Sequence, residues 1–204
     1  MKRNLSAFIA TLAWIAVLTQ YYLMIQNRVE STTETTIRFF SFFTILTNSL
    51  VAVFFTLNLM RPKTGEHSIP DRPGTLTAVT VYITVVGLVY QVILRQTWEP
   101  TGLQKIIDEL LHSVIPVLVI VFWYLYEKKS SLKFSQIPKW LIYPLLYLFY
   151  VLIRGSISGF YPYPFINVAA IGWQKVMVNS AGITVLFLVI SAVFVKFGKS
   201  RVFL

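Results

Sequence analysis

The sequence contains no cysteine, which removes disulfide frameworks, thiolate metal sites and cysteine nucleophiles from consideration. Two histidines, His67 and His112, are too few for a multi-histidine metal centre or a bis-histidine haem, so the sequence implies no cofactor and no metal. Only eight of the 204 residues are acidic, and charged residues of both signs make up 13%, about half the roughly 25% of an ordinary soluble chain. So few charges cannot solvate a globule whose hydrophobic fraction is 56% and whose mean hydropathy is +0.67. Against this stand 18 basic residues and a formal net charge of +10, which on a soluble protein would point to nucleic acid. Where the basic residues sit decides between the two readings.

A helix that spans a bilayer needs about 20 predominantly apolar residues, because the hydrocarbon core is roughly 30 Å thick and each residue rises about 1.5 Å. Six stretches approach that length: 5–26, 39–60, 75–94, 107–126, 140–160 and 174–196. Arg154 is the conspicuous charge inside them. The connections are short and carry turn chemistry, as in Arg61-Pro62-Lys63-Thr64-Gly65, Asp71-Arg72-Pro73-Gly74, Trp98-Glu99-Pro100-Thr101-Gly102 and Tyr161-Pro162-Tyr163-Pro164. The first stretch is longer than a signal-peptide core and is followed by no small-residue cleavage site, so it reads as a retained anchor. The expectation is an all-α, polytopic integral membrane protein forming a single domain over residues 1–204, in the cell membrane.

Sorted by segment, the basic residues settle the orientation. With the N-terminus in the cytoplasm, the inner segments hold Lys2, Arg3, Arg61, Lys63, Arg72, Lys128, Lys129, Lys133, Lys139, Lys196, Lys199 and Arg201. The outer segments hold Arg28, Arg38, Arg95, Lys105 and Lys175. Twelve against five over short loops is a positive-inside signal for both termini in the cytoplasm. The basic excess thereby reports topology, and nucleic acid drops out as a partner.

A polar side chain in hydrocarbon is costly, so each one inside a span is a functional candidate. The topology puts the most conspicuous of them at similar depth in the outer leaflet. On the second span Ser41, Thr44 and Asn48 fall at i, i+3 and i+7, one helical face, with Thr47 adjoining and Thr44 roughly 8 Å below the outer boundary. Ser41 and Thr47 fit back-bonding to their own i−4 carbonyls, whereas Asn48 has more hydrogen-bonding capacity than lipid can satisfy. On the fourth span Asp108 and His112 are spaced i, i+4, and Pro116 stands four residues beyond His112, where it removes the N–H that would bond the His112 carbonyl. That spacing fits a carboxylate orienting an imidazole base, and it equally fits an interfacial hydrogen bond within the bundle. Arg154 on the fifth span needs a partner; Asp108 and Glu99 are the acids on that side, and an anionic headgroup is the other solution. Gln91, Tyr161 and Asn179 lie at the same level and complete the candidate binding set. His67, in a Gly/Pro-rich loop on the cytoplasmic side, reads as solvated.

Three motifs then stand out together. Phe42-Phe43-Thr44-Ile45-Leu46-Thr47-Asn48 resembles the second-helix motif of a family of six-helix membrane proteins. That family includes the animal androgen-induced-gene and androgen-dependent TFPI-regulating proteins and many bacterial relatives. Trp98-x-Pro100-Thr101-Gly102-Leu103-Gln104, running on to Asp108-Glu109-Leu110-Leu111-His112-x-x-x-Pro116, resembles the bacterial branch. Tyr161-Pro162-Tyr163-Pro164-Phe165-Ile166-Asn167 is similar to the Tyr-Pro-Phe turn of both branches. Two spacings differ from the animal pattern: the interval from His112 to Pro116 is one residue shorter, and Asn48 follows Thr44 by four residues rather than three. The resemblance covers nearly the whole chain. It implies an intramembrane hydrolase of fatty acyl esters in which Thr44 is the nucleophile and His112 the base.

A threonine hydroxyl attacks only when a neighbouring base takes its proton, a role His112 can fill with Asp108 behind it. Asn48 or Arg154 would then stabilise the oxyanion of an acyl transfer. The expected partners are membrane lipids and a lipid ester or fatty acid. The rival expectation is a non-enzymatic transporter or lipid/carboxylate-binding protein using the same polar cluster. The two part on one distance: hydrolysis needs Thr44 Oγ within hydrogen-bond reach of a His112 ring nitrogen.

Overall fold

A computed structural model describes residues 1–60, 69–97 and 99–200. His67, Trp98 and the 61–65 turn, with Arg61 and Lys63, lie outside the described residues, as does Arg201. Among the described residues there is no strand, and the chain is helical almost throughout. Nine α-helices are present among them: α1 (Lys2–Gln26), α2 (Thr32–Phe39), α3 (Phe43–Leu59), α4 (Thr75–Val89), α5 (Gly102–Glu109), α6 (Ile115–Tyr126), α7 (Ile137–Trp140), α8 (Ile142–Ser158) and α9 (Val168–Ser200).

Several of these join end to end. A π-helical turn, Leu110–Val114, links α5 to α6 into one rod, and another, Tyr90–Leu94, extends α4. The longer rods are Lys2–Gln26, Thr75–Leu94, Gly102–Tyr126, Phe134–Ser158 and Val168–Lys199, all long and apolar enough to cross a membrane. The third, fourth and fifth begin five or six residues before the boundaries expected from hydropathy alone. In α9 the chain departs from helical geometry at Gly172, whose φ of 78° suits a residue without a Cβ.

The second span differs from expectation in kind. Instead of one helix over 39–60, α2 and α3 meet at a bend of 73°. Phe42 is extended (φ −84°, ψ 124°), and the groups freed at the break find side-chain partners. Ser41 Oγ donates to the Ile37 carbonyl (2.7 Å), and Tyr147 OH donates to the Ser41 carbonyl (2.9 Å). Ser41 therefore leaves the face that Thr44 and Asn48 share, and α3 starts just one residue before Thr44.

The core sits around α4, which packs against α3, α6 and α9 and is buried along most of its length. The α1–α3 contact follows from small residues on one helical face: Ser6, Ile9, Ala10, Ala13, Ala16 and Val17 are buried at spacings of three and four. The opposite face of α1 exposes Phe8, Trp14, Ile15, Leu18 and Tyr22. Similar large apolar side chains cover the outside of α8 and α9, including Leu146, Phe149, Val178 and Val189. A helix that is apolar all round belongs in a core or in lipid, and these outer faces have no core to enter.

Candidate active site

Thr44 is the second residue of α3, in the turn whose backbone N–H groups have no acceptor within the helix. No side chain caps that end. The Thr44 N–H instead donates to Tyr163 OH at 3.3 Å. Tyr163 comes from the loop between α8 and α9, which folds inward through a tight turn at Pro164–Ile166. Asn179 Nδ2 on α9 donates to the Phe165 carbonyl (2.9 Å), and Asn167 Oδ1 accepts from the Ala170 N–H (3.1 Å), fixing the two sides of that loop. Tyr163 itself stacks on Phe165 and is buried.

His112 lies in the π-turn ahead of Pro116. Pro116 has no N–H for the His112 carbonyl, and the helix widens there rather than simply kinking. Gly87 lets α4 come close to that widened turn: a Cβ there would stand 3.1 Å from the His112 carbonyl oxygen and 3.4 Å from the Pro116 Cβ. At the end of α4 Tyr90 lies flat against the imidazole, with ring centroids 4.1 Å apart and planes 16° from parallel.

The imidazole's partners fix its protonation pattern. His112 Nδ1 faces two acceptors, the Asp108 carbonyl at 2.9 Å and Asp108 Oδ1 at 3.3 Å, so in the neutral ring Nδ1 carries the hydrogen. Nε2 is left with its lone pair, and it lies 3.2 Å from Thr44 Oγ. Thr44 therefore donates to His112, and its oxygen lone pairs remain for Tyr163 OH at 3.4 Å. Tyr90 OH donates to the other Asp108 oxygen, holding the carboxylate behind the ring. Asn48 Nδ2 donates to the Thr44 carbonyl (2.9 Å) and the Leu111 carbonyl (3.2 Å), joining the start of α3 to the π-turn.

This relay borders a cavity of about 590 Å³, within the usual range for a small-molecule site. Thr44, Tyr90, Asp108, His112 and Tyr163 line it, with Gln20, Asn27, Thr97 and Gln104 adding uncharged polar groups.

Other residues singled out in the sequence lie elsewhere. Arg154 donates to Glu34 Oε1 at 2.7 Å and to Ser158 Oγ at 3.0 Å; its acid is neither Asp108 nor Glu99, and it does not line the cavity. Glu34, before the bend, also accepts from Arg38 Nε at 2.8 Å. The hydrogen bond from Arg38, then that from Arg154, hold its carboxyl below the usual carboxylate range. Gln91 is exposed, donating to Ser113 Oγ (2.8 Å) and accepting from Arg95 (2.6 Å). Tyr161 packs its ring over Gly155, and Thr47 hydrogen-bonds Tyr143 OH at 3.2 Å. Asn48 is buried beside Thr44, but its amide N–H groups serve backbone carbonyls.

Sequence reasoning passed over Tyr90 and Tyr163. Tyr90 adjoins Gln91 and continues the buried face of Ile83, Val86 and Gly87 on α4, a spacing of three, four and seven that could have found it, while Gln91 is exposed. The Tyr-Pro-Tyr-Pro segment offers two tyrosines and no regular repeat to choose between them. No family model, curated protein or solved structure matches this chain, so the reading of the site rests on its own geometry.

Proposed function

We propose that this chain is a six-span membrane hydrolase of lipid esters, with Thr44 as nucleophile and His112 as general base. The observation that carries the reading is the 3.2 Å contact between Thr44 Oγ and a His112 nitrogen whose partners leave it a lone pair, beside a cavity. In this reading His112 Nε2 takes the Thr44 proton as Oγ attacks the ester carbonyl. Asp108 stabilises the resulting imidazolium, and Tyr90 keeps Asp108 in place. Tyr163 OH, 3.4 Å from Thr44 Oγ, would turn its proton to the oxyanion, the part that the sequence had given to Asn48 or Arg154. The imidazolium then protonates the departing alcohol, and water releases the acid from Thr44 by the same steps in reverse order of partners.

In the membrane, the bend between α2 and α3 lies at the outer surface of the cell membrane and both termini are cytoplasmic. The twelve-to-five division of basic residues supports that orientation. The three motifs carried by residues 42–48, 98–116 and 161–167 support membership of the bacterial branch of the six-helix family named above. The carboxylate-binding alternative loses its cation, since Arg154 pairs with Glu34 and no Lys or Arg among the described residues lines the cavity.

The test is fluorophosphonate labelling of the purified chain, comparing wild type with Thr44→Ala and His112→Ala. Labelled wild type and unlabelled variants are expected. Equal labelling of all three, or an unlabelled wild type, sinks the reading.

A further inference from the structure

Thr44 and Tyr163 line a second cavity as well as the first. It is smaller, about 90 Å³, and lies between α3, α4, α8 and α9. Its walls are almost wholly hydrocarbon, with Val85, Val86 and Val89 on one side and Leu148, Ile183 and Phe187 on the other. Leu94 borders both cavities, so Thr44, Leu94 and Tyr163 form a partition, with an apolar chamber behind and a wider, polar-mouthed chamber in front.

The chemistry assigns the two halves of an ester to the two chambers. The leaving oxygen must receive its proton from His112, and His112 and Asp108 border the wide chamber but not the narrow one. The alcohol therefore departs on the wide side, where the water for the second step also enters. The acyl chain remains bonded to Thr44, and the hydrocarbon chamber is the space left for it.

Charge narrows the alcohol further. Gln20, Asn27, Thr97 and Gln104 present hydrogen-bonding groups around the wide chamber, and Gln104 Nε2 already donates to Gln20 Oε1 at 2.8 Å. Among the described residues no Lys or Arg lines it, and its one charged liner is the carboxylate of Asp108. A phosphate or carboxylate on the alcohol would lose its hydration and meet a like charge without a counter-ion. A hydroxyl-bearing neutral alcohol meets partners instead.

We infer that the two chambers divide the substrate, with a short alkyl acyl chain in the narrow one and an uncharged polyol-type alcohol in the wide one. The inference rests on the Thr44–His112 reading. In the acylation step the Thr44 Oγ–acyl bond forms and the acyl–alcohol bond breaks. The Thr44 proton travels through His112 to the alcohol. Water then replaces Thr44 on the acyl carbon, giving a free fatty acid and returning a proton to Thr44.

The experiment uses the purified full chain in nonionic micelles and two probes sharing one acyl chain and one glycerol, the chain short enough for a chamber of about 90 Å³: 1-butyrylglycerol and 1-butyrylglycerol 3-phosphate. The neutral ester is expected to be preferred at least tenfold in kcat/KM. Gln104→Lys, which puts a cation at the wide chamber, should move that ratio about tenfold toward the phosphate ester. Val86→Phe should shift preference from butyryl to acetyl glycerol while leaving the ratio between the two headgroups unchanged. Leu148→Phe, on a second wall, should do the same and covers the case in which Val86→Phe does not fold. An equal or greater rate on the phosphate ester overturns the inference, as does a chamber variant that changes headgroup preference instead of chain length. If fluorophosphonate labels Thr44 while either result appears, only the division of the substrate fails. If the protein neither labels nor cleaves either ester, the hydrolase reading fails and takes the inference with it.

Discussion

Two polar clusters lie near the bend between α2 and α3, and they are built differently. The first joins Thr44, His112, Asp108, Tyr90 and Tyr163, contains one acid and no Lys or Arg, and borders a cavity. The second joins Glu30, Glu34, Arg38 and Arg154, two acids with two bases. There Arg38 reaches both acids, Arg154 reaches Glu34, and the Phe160 ring lies 4.7 Å from one guanidinium and 5.1 Å from the other. In the second cluster the strong groups satisfy one another and clasp α2 to α8. In the first, the chain of donors ends on a hydroxyl beside open space. A polar group that spends its hydrogen bonds on its neighbours holds the fold, whereas the first cluster leaves a hydroxyl and an imidazole nitrogen at a cavity wall, the arrangement on which the proposed hydrolysis rests.

The largest effect should divide the clusters outright. Thr44→Ala and His112→Ala are expected to lower ester hydrolysis by about 10³-fold or more, because in the proposed reaction these residues supply the attacking oxygen and its base. Arg154→Met should change the rate less than severalfold, since its partner is Glu34. Comparable losses at Arg154 and His112, measured as kcat/KM on one ester, would erase the distinction. Tyr163→Phe comes next. Loss of one oxyanion donor costs about 10²–10³ in kcat in known cases. Here the loss should fall on kcat with KM nearly unchanged; a change in KM alone would make Tyr163 part of the chamber wall only.

Asn48→Leu should act mainly on stability. It removes both N–H donors from the Thr44 and Leu111 carbonyls in a fully buried position. A pair of such interhelical bonds contributes on the order of 1–2 kcal/mol in a membrane protein. A lower melting temperature in detergent is the expected result, with a smaller loss of rate than at Tyr163. An unchanged melting temperature would show that α3 and the π-turn hold their positions without this tie.

Much of this was legible in the sequence, and the failures have physical causes. Long charge-free stretches are hard to satisfy except as apolar helices, so five of the rods follow from hydropathy and length. The break before Thr44 was not legible, because Phe40-Ser41-Phe42 contains neither proline nor glycine. What stabilises it is Tyr147, more than 100 residues away, donating to the Ser41 carbonyl. The Asp108–His112 pair was readable because i, i+4 neighbours meet on any helix. Tyr163 was not, since it depends on an irregular loop folded against α9, and Tyr90 was passed over although it continues the buried face of Ile83, Val86 and Gly87, because a tyrosine on an apolar face reads as core. Arg154 was grouped by depth with the polar residues of the interior; depth along a helix says nothing about which side of it an arginine occupies.

The smallest effect concerns the charged cluster and its pH dependence. Glu34 has a carboxyl held below its ordinary range by Arg38 first and Arg154 second. A group depressed in the folded state contributes stability that is complete above its unfolded value, about 4.3, and is lost as pH falls through the folded one. At pH 7 the clasp between α2 and α8 is closed; acidification through the depressed Glu34 value should open it by protonating Glu34. Amide hydrogen exchange over residues 30–40 and 154–160 reads that opening directly, after correction for the intrinsic pH dependence of exchange. Protection in the wild type should fall only as pH drops below the ordinary carboxylate range, while Glu34→Gln should already show the lower protection at pH 7 and change little below it. Because these charges are partly exposed, high salt should weaken the clasp at neutral pH too. Protection that is indifferent to pH, salt and Glu34→Gln alike would mean that the stacked Phe160 and the surrounding apolar contacts hold α2 in place, and that the ion pairs merely accompany them.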